Sequence, residues 1–160
     1  MELSVTQENF ARALSIVGRV ASNRTGLPIL SNILLRTDGT RLLVAATNLE
    51  IAATCYVGAK VVRQGDITLP ARLVSDYVGS LPKGTIELSS KGTSMTISSG
   101  NYSSIMTGVD ATEFPELPSI DEKQAVTYTI AEADFKQAIS QTIITTSNDT
   151  SRPVLTGVYW

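Results

Sequence analysis

An α+β fold made of a duplicated unit, each copy one helix and about four antiparallel strands, is predicted by three features of this chain. A strand-then-helix phrase occurs three times, at a spacing of roughly sixty residues. Val5-Thr6-Gln7-Glu8-Asn9-Phe10 runs on into Ala13-Leu14, Leu69-Pro70-Ala71-Arg72-Leu73-Val74 into Tyr77-Val78, and Ile130-Ala131-Glu132-Ala133-Asp134-Phe135 into Ala138-Ile139. Between these phrases, short runs rich in Leu, Val, Ile and Thr are bounded by turn pairs such as Asp38-Gly39, Lys91-Gly92 and Gly100-Asn101, the pattern of short hairpin strands. Apolar content of 42% against 18% charged is enough to fill a core.

The elements follow in order. Residues 2–5 alternate like a short strand. Thr6 is positioned to cap the helix that follows, with Asn9 three residues on in place of the usual Glu. Over 7–21, a 100° turn per residue gathers Phe10, Ala13, Leu14, Val17, Val20 and Ala21 into one stripe and leaves Arg12, Ser15 and Arg19 opposite. A polar loop over 22–26 leads to strands near 30–37, 41–47, 49–57 and 59–63, then a shorter one at 66–69. Pro70 suits the first turn of a second helix reaching about Leu81. Strands near 85–90, 94–98 and 102–109 complete the second copy. The helices are expected side by side on one face, each over its own strands, with Arg12, Arg19 and Arg72 outward, and Lys136, Gln137, Ser140 and Gln141 repeating that arrangement on the third helix.

Residues 1–120 therefore read as a first domain of two copies, 110–125 as a connector, and 126–160 as the opening of a second domain. The acidic, proline-bearing stretch 110–123 reads as a solvated linker. A Mg²⁺ site from Asp110, Glu113, Glu116 and Asp121 is the alternative, although that spacing on an extended segment gives poor octahedral geometry. The run 154–160 is expected to be an exposed strand, prone to pair with another chain, and the whole chain to be the front part of a longer protein.

Several function classes lose their usual chemistry. The chain has no histidine, which removes the imidazole base, the commonest zinc ligand and every His-dependent triad. No G-x-S-x-G, P-loop or G-x-G-x-x-G is present; no catalytic residue, metal or cofactor is assigned. One cysteine, Cys55, allows no internal disulfide. No apolar stretch approaches the span of a membrane helix, and the expected location is the cytoplasm. With a net charge of −2, any nucleic-acid role depends on where the 13 Lys and Arg residues sit.

Six motifs, in order and in register, resemble the bacterial DNA polymerase III beta subunit family, the replicative sliding clamps. They are Arg24-Thr25-Gly26-Leu27-Pro28-Ile29-Leu30-Ser31-Asn32-Ile33-Leu34-Leu35, Thr47-Asn48-Leu49-Glu50, Leu69-Pro70-Ala71-Arg72, Gly79-Ser80-Leu81-Pro82, Glu113-Phe114-Pro115 and Arg152-Pro153-Val154-Leu155-Thr156-Gly157. The resemblance implies a DNA-clamp fold and a non-enzymatic processivity factor. Two three-domain subunits join head to tail as a homodimer ring around double-stranded DNA, with helices lining the hole and sheets outside. The implied partners are DNA polymerase III subunits and the clamp loader. It implies DNA contacts at Arg24, Arg72, Arg12 and Arg19, with an ion pair to Asp76 as the plain alternative for Arg72. It implies a partner-peptide groove beside Arg152 and Leu155, and a subunit interface at Tyr102, Ile105 and Met106. Only one of the adjacent Ile105 and Met106 can face a neighbour while the other faces the core. Asp149, Pro153 and Val154 occupy a loop where some relatives use Gln and tyrosines on DNA; they differ from that pattern, an aspartate there repels phosphate, and Ser104 stands where some members are bulky. Two other readings compete: a non-catalytic protein-binding scaffold, and a Mg²⁺-dependent nucleotidyl-transfer or nuclease enzyme.

Overall fold

In the first unit the apolar runs between turns become strands, and the apolar stripes of period 3.6 become helices. The computed structural model describes residues 1–21, 27–118 and 126–159. The elements are strands β1 (Glu2–Thr6), β2 (Asn32–Asp38), β3 (Arg41–Thr47), β4 (Ala52–Gly58), β5 (Lys60–Arg63), β6 (Asp66–Pro70), β7 (Thr85–Lys91), β8 (Ser94–Ser99) and β9 (Tyr102–Thr107), helices α1 (Gln7–Val17) and α2 (Ala71–Ser80) among them, and helix α3 (Glu132–Thr142) after the last strand. The chain divides into two compact units, Met1–Pro118 and Ser119–Trp160.

The sheets correct one expectation. One sheet runs β5-β1-β7-β8-β9 and the other β4-β3-β2-β6, all antiparallel. The leading strand of each copy therefore lies in the sheet of the other. β1 pairs with β7 from Glu2↔Ser89 to Thr6↔Thr85, and β6 pairs with β2 from Asp66↔Arg36 to Pro70↔Asn32. Each three-stranded meander would otherwise expose a long free edge, and the exchanged strand fills it. The helices thus cover a shared core rather than separate ones.

Helix α1 buries Phe10, Ala13, Leu14 and Val17, and α2 buries Ala71, Val74 and Val78. They pack beside each other over one apolar cluster that takes Leu3 and Val5 from β1, Ile33 and Leu35 from β2, Ile67 and Leu69 from β6, and Ile86, Leu88 and Ile97 from β7 and β8. Gln7, itself buried, fastens the pair: its Nε2 donates to the carbonyl of Val78 at 2.9 Å.

Smaller differences have local causes. Thr6 makes no capping hydrogen bond with its side chain, because its backbone still belongs to the β1 ladder; the first free amide, Gln7 N, donates instead to Gly84 O at 2.8 Å. Helix α1 ends at Val17, so Val20 and Ala21 pack on the core from a turn. Pro28–Ser31 is a 3-10 helix ahead of β2, as Pro at its first position favours. Residues 48–51 are a turn, not strand: Asn48 Oδ1 accepts from Glu50 N and Ile51 N at 3.0 and 2.8 Å, and Leu49 takes φ 74°.

The stretch read as a solvated linker begins with a packed anchor. Ala111 and Phe114 are buried with Leu34, Leu43 and Ala45 on the opposite face of the β2–β3 pair from the main core, and Ile29 and Leu117 pack against them. In the second unit, α3 buries no residue. The run expected as a strand at 154–160 instead holds a 3-10 helix at Pro153–Leu155, and its last residue lies outside the described ones.

Candidate nucleic-acid interface

The surface that α1 and α2 turn away from their core carries the cationic residues singled out in the sequence. Arg12 is exposed on α1, between the buried Phe10 and Ala13. Arg19 is exposed just beyond the helix end. Among the described residues neither makes an ion pair. Arg72 opens α2 with its side chain 95% exposed and lies 3.6 Å from Asp76, one turn on. Such a solvated i,i+4 pair holds weakly, leaving the guanidinium free to exchange one anion for another. Arg24 lies outside the described residues.

The acidic groups of this surface are matched. Glu8 pairs with Lys83 at 2.7 Å, a hydrogen bond that raises the Lys83 pKa above its ordinary value, and Asp76 faces Arg72. The uncompensated charge left by this pairing is positive, at Arg12 and Arg19. Beside Arg12 runs a shallow groove between α1 and β4, formed by Asn9, Ala13 and Ile16 on one wall and Cys55, Val57 and Gly58 on the other. Away from these helices, Arg36 is tied to Asp66 at 3.0 Å, Arg41 to Asp38 at 2.7 Å while lying 4.3 Å above the Tyr56 ring, and Arg63 donates to the Ser90 carbonyl at 3.1 Å, whereas Lys60 and Lys91 are exposed on the strands.

The expected subunit-interface residues separate. Among the described residues β9 pairs only with β8 and forms one edge of its sheet. Ile105 is 72% and Tyr102 58% exposed, but Met106 is 3% exposed and sits in the main core opposite Met95. Strand alternation turns Met106 inward for the same reason that it turns Ile105 out; Met106 is therefore a core residue rather than a surface one.

In the second unit, Arg152 and Leu155 come together with Asp149 in one turn. Asp149 Oδ1 accepts from Ser151 N and Oγ at 3.0 and 2.6 Å, which holds its carboxyl below the ordinary aspartate range. Its Oδ2 meets Arg152 Nη2 at 3.5 Å, and Ser147 N donates to Leu155 O at 2.8 Å. Asp149 thus shapes this loop and holds Arg152 only through a weak, solvated pair. Leu155 is 46% exposed, and Pro153 and Val154 are exposed beside it. On α3, Lys136 pairs with Glu132, while Gln137, Ser140 and Gln141 are exposed.

Asp110 is occupied as the cap of the 3-10 helix Ala111–Glu113, accepting from Thr112 N and Oγ1 at 2.9 and 2.7 Å. Among the described residues no group of three or more potential ligands is placed to hold a metal ion. The apolar Ile16 and Leu73 are 45% and 52% exposed on otherwise polar helix surfaces; Ile16 lies off the apolar stripe of its helix, and Leu73 stands in the repeated phrase where the other copies have Asn9 and Asp134.

Residues 1–118 match the family model described as DNA polymerase III beta subunit, N-terminal domain. The beta sliding clamp of Synechococcus elongatus is 35% identical over 164 aligned residues, spanning 99% of this chain and 43% of that protein. That of Bacillus subtilis is 30% identical, spanning 100% and 44%. Among solved structures, the Bacillus subtilis DNA polymerase sliding clamp superposes with a TM-score of 0.92 at 26% identity, over 98% of this chain and 43% of that one. The Helicobacter pylori beta clamp bound to a DNA ligase peptide superposes at 0.71 with 26% identity, over 76% and 34%. The chain spans less than half the length of these relatives. On the match over its first 118 residues, it belongs to the DNA polymerase III beta subunit family.

Proposed function

We propose that residues 1–120 form the first domain, 110–125 the connector and 126–160 the opening of the second domain of a bacterial replicative sliding clamp. In this reading two full subunits close head to tail into a ring. α1 and α2 line its hole, and double-stranded DNA passes through. Tyr102 and Ile105 on the β9 edge face the partner subunit, and the loop carrying Arg152 and Leu155 borders the groove that takes peptide segments of polymerase III subunits and the clamp loader. The Helicobacter pylori relative solved with a DNA ligase peptide supports a peptide groove of this kind. The chain carries out no catalytic step in this account and works in the cytoplasm; no helix of the described residues is long and apolar enough to cross a membrane.

The observation that carries the reading is the unmatched charge of Arg12 and Arg19, with the loosely held Arg72, on the outward surface of two adjacent helices. Guanidinium groups on phosphates release counterions and attract duplex of any sequence weakly. A ring needs no more, because closure rather than affinity keeps it on DNA. A chain of net charge −2 can therefore hold duplex, provided its positive charge is local.

In full-length subunits carrying these residues, duplex association is expected to be independent of sequence and to fall steeply with salt. Combining Arg12→Ala, Arg19→Ala and Arg72→Ala is expected to flatten the plot of log K against log salt by up to about 3, close to 0.9 for each phosphate no longer neutralised. Arg36→Ala with Arg41→Ala is expected to leave the slope unchanged. Fluorescence anisotropy on a labelled duplex from about 50 to 200 mM salt measures both. Equal losses from the two sets, or a flat salt response in the parent, would favour a scaffold module instead.

A further inference from the structure

We infer that residues 109–117 form a latch, a strap that lifts from the sheet while the rest of the first unit stays folded. Two observations carry this, neither depending on the ring reading. First, the strap's core is separate from the main one. Among the described residues, the apolar cluster of Ala111, Phe114 and Leu117 takes in Leu34, Leu43, Ala45 and Ile29, on the other face of the β2–β3 pair, and none of the main-core residues. Removing them exposes a small apolar patch and leaves the helices and main cluster in place.

Second, among the described residues, backbone hydrogen bonds hold only the strap's first residue to the sheets. Thr68 N donates to Val109 O at 3.0 Å and Val109 N to Thr68 O at 3.1 Å. Behind this bridge, Asn32 Nδ2 donates to Thr68 Oγ1 and Thr68 Oγ1 to Val109 O, at 3.1 and 3.0 Å. From Asp110 onward the hydrogen bonds seen among the described residues are local: Glu113 N to Asp110 O, Phe114 N to Ala111 O, and Thr112 to the Asp110 carboxylate. The strap is therefore closed by side chains, with Phe114 as the bolt, and breaks from its C-terminal end toward Val109. Local opening of this kind, with few backbone bonds to break, belongs at the low end of a protein's opening free energies. Lifting the strap as far as Val109 frees about 30 Å of chain at full extension, which turns a fixed exit from the first unit into a slack tether.

Hydrogen exchange followed by mass spectrometry on the whole chain tests this. The amides of Thr112, Glu113 and Phe114 are expected to be measurably protected, and to exchange at least tenfold faster in Phe114→Ala, while those of Leu35, Val44 and Leu88 keep their parent rates. Phe114→Leu, which preserves most of the apolar volume, serves if the alanine variant does not fold, with a smaller acceleration confined to the same peptide. Acceleration by a common factor in strap and strands would show one cooperative unit and overturn the latch. So would strap amides that exchange without protection in the parent, or that do not respond to either variant.

Discussion

Gly108→Ala is expected to destabilise the chain by about 3–5 kcal/mol, at the upper end of single substitutions. A Cβ at Gly108 would stand 2.0 Å from the carbonyl oxygen of Thr68, 3.0 Å from Leu69 Cδ2 and 3.2 Å from Ile67 Cγ1. The first of these is backbone in β6, which cannot swing aside as a side-chain tip does. The methyl therefore drives the end of β9 away from β6, breaking the Thr68–Val109 bridge and the bond from Gly108 N to Thr93 O at 2.7 Å. At about 2–4 °C per kcal/mol for a chain of this size, a melting midpoint lower by about 10 °C is expected. Gly79→Ala is the matched control: beyond its own helix backbone and chain neighbours, no atom of the described residues lies within 4 Å of a Cβ there, and alanine inside helix α2 is expected to stabilise by about 0.5–1 kcal/mol. Thermal unfolding followed by circular dichroism reads both, and a Gly108→Ala midpoint equal to the parent's would mean that the β6–β9 seam is not as close as described.

Phe10→Ala is expected to cost about 3–5 kcal/mol, the range for removing a fully buried aromatic ring. Phe10 is 0% exposed and is the largest of the residues that seat α1, the others being Gln7, Ala13, Leu14 and Val17. No smaller neighbour on the helix can fill the space. The consequence reaches function, because α1 places Arg12 on the exposed surface and leads into Arg19. Weaker seating of α1 is expected to weaken duplex association together with stability. Ile16→Ala, on the same helix at 45% exposure, is expected to change stability by no more than about 0.5 kcal/mol. Urea unfolding separates the two by their midpoints; similar shifts would contradict the division of α1 into buried and exposed faces.

Much of this architecture is legible in the chain because it is local. Phe10, Leu14 and Val17, or Val74 and Val78, announce their helices by spacing, and the glycine-bearing turns set the hairpins apart. The exchange of β1 and β6 between sheets is not local: a strand's period says which face is buried and nothing about which strand it meets. The anchor at Phe114 was hidden by the acids and prolines around it, whose composition belongs to linkers although one aromatic and one alanine find a core. At Leu49 an apolar residue continued a strand-like run, yet the Asn48 carboxamide captures the next amides and ends it, a competition that side chains of this type regularly win. The arginines could be listed from the sequence. That Arg36 and Arg41 are paired with aspartates while Arg12 and Arg19 are not required coordinates, since Asp66 lies thirty residues from Arg36. Met106 and Ile105 show the reverse: alternation dictates that they part, and the burial of Leu88, Met95 and Ile97 nearby decides which goes inward.

Retention on DNA of different topology tests the central claim most directly. On the proposed reading, a full-length ring containing this chain, placed on nicked circular plasmid by a clamp loader and freed of unbound protein by gel filtration, is expected to remain with the circle in moderate salt and to leave when one restriction cut linearises it. Equal retention on circular and linear molecules, or departure from both at the same rate, would contradict encirclement and leave the helix surface as an ordinary electrostatic patch.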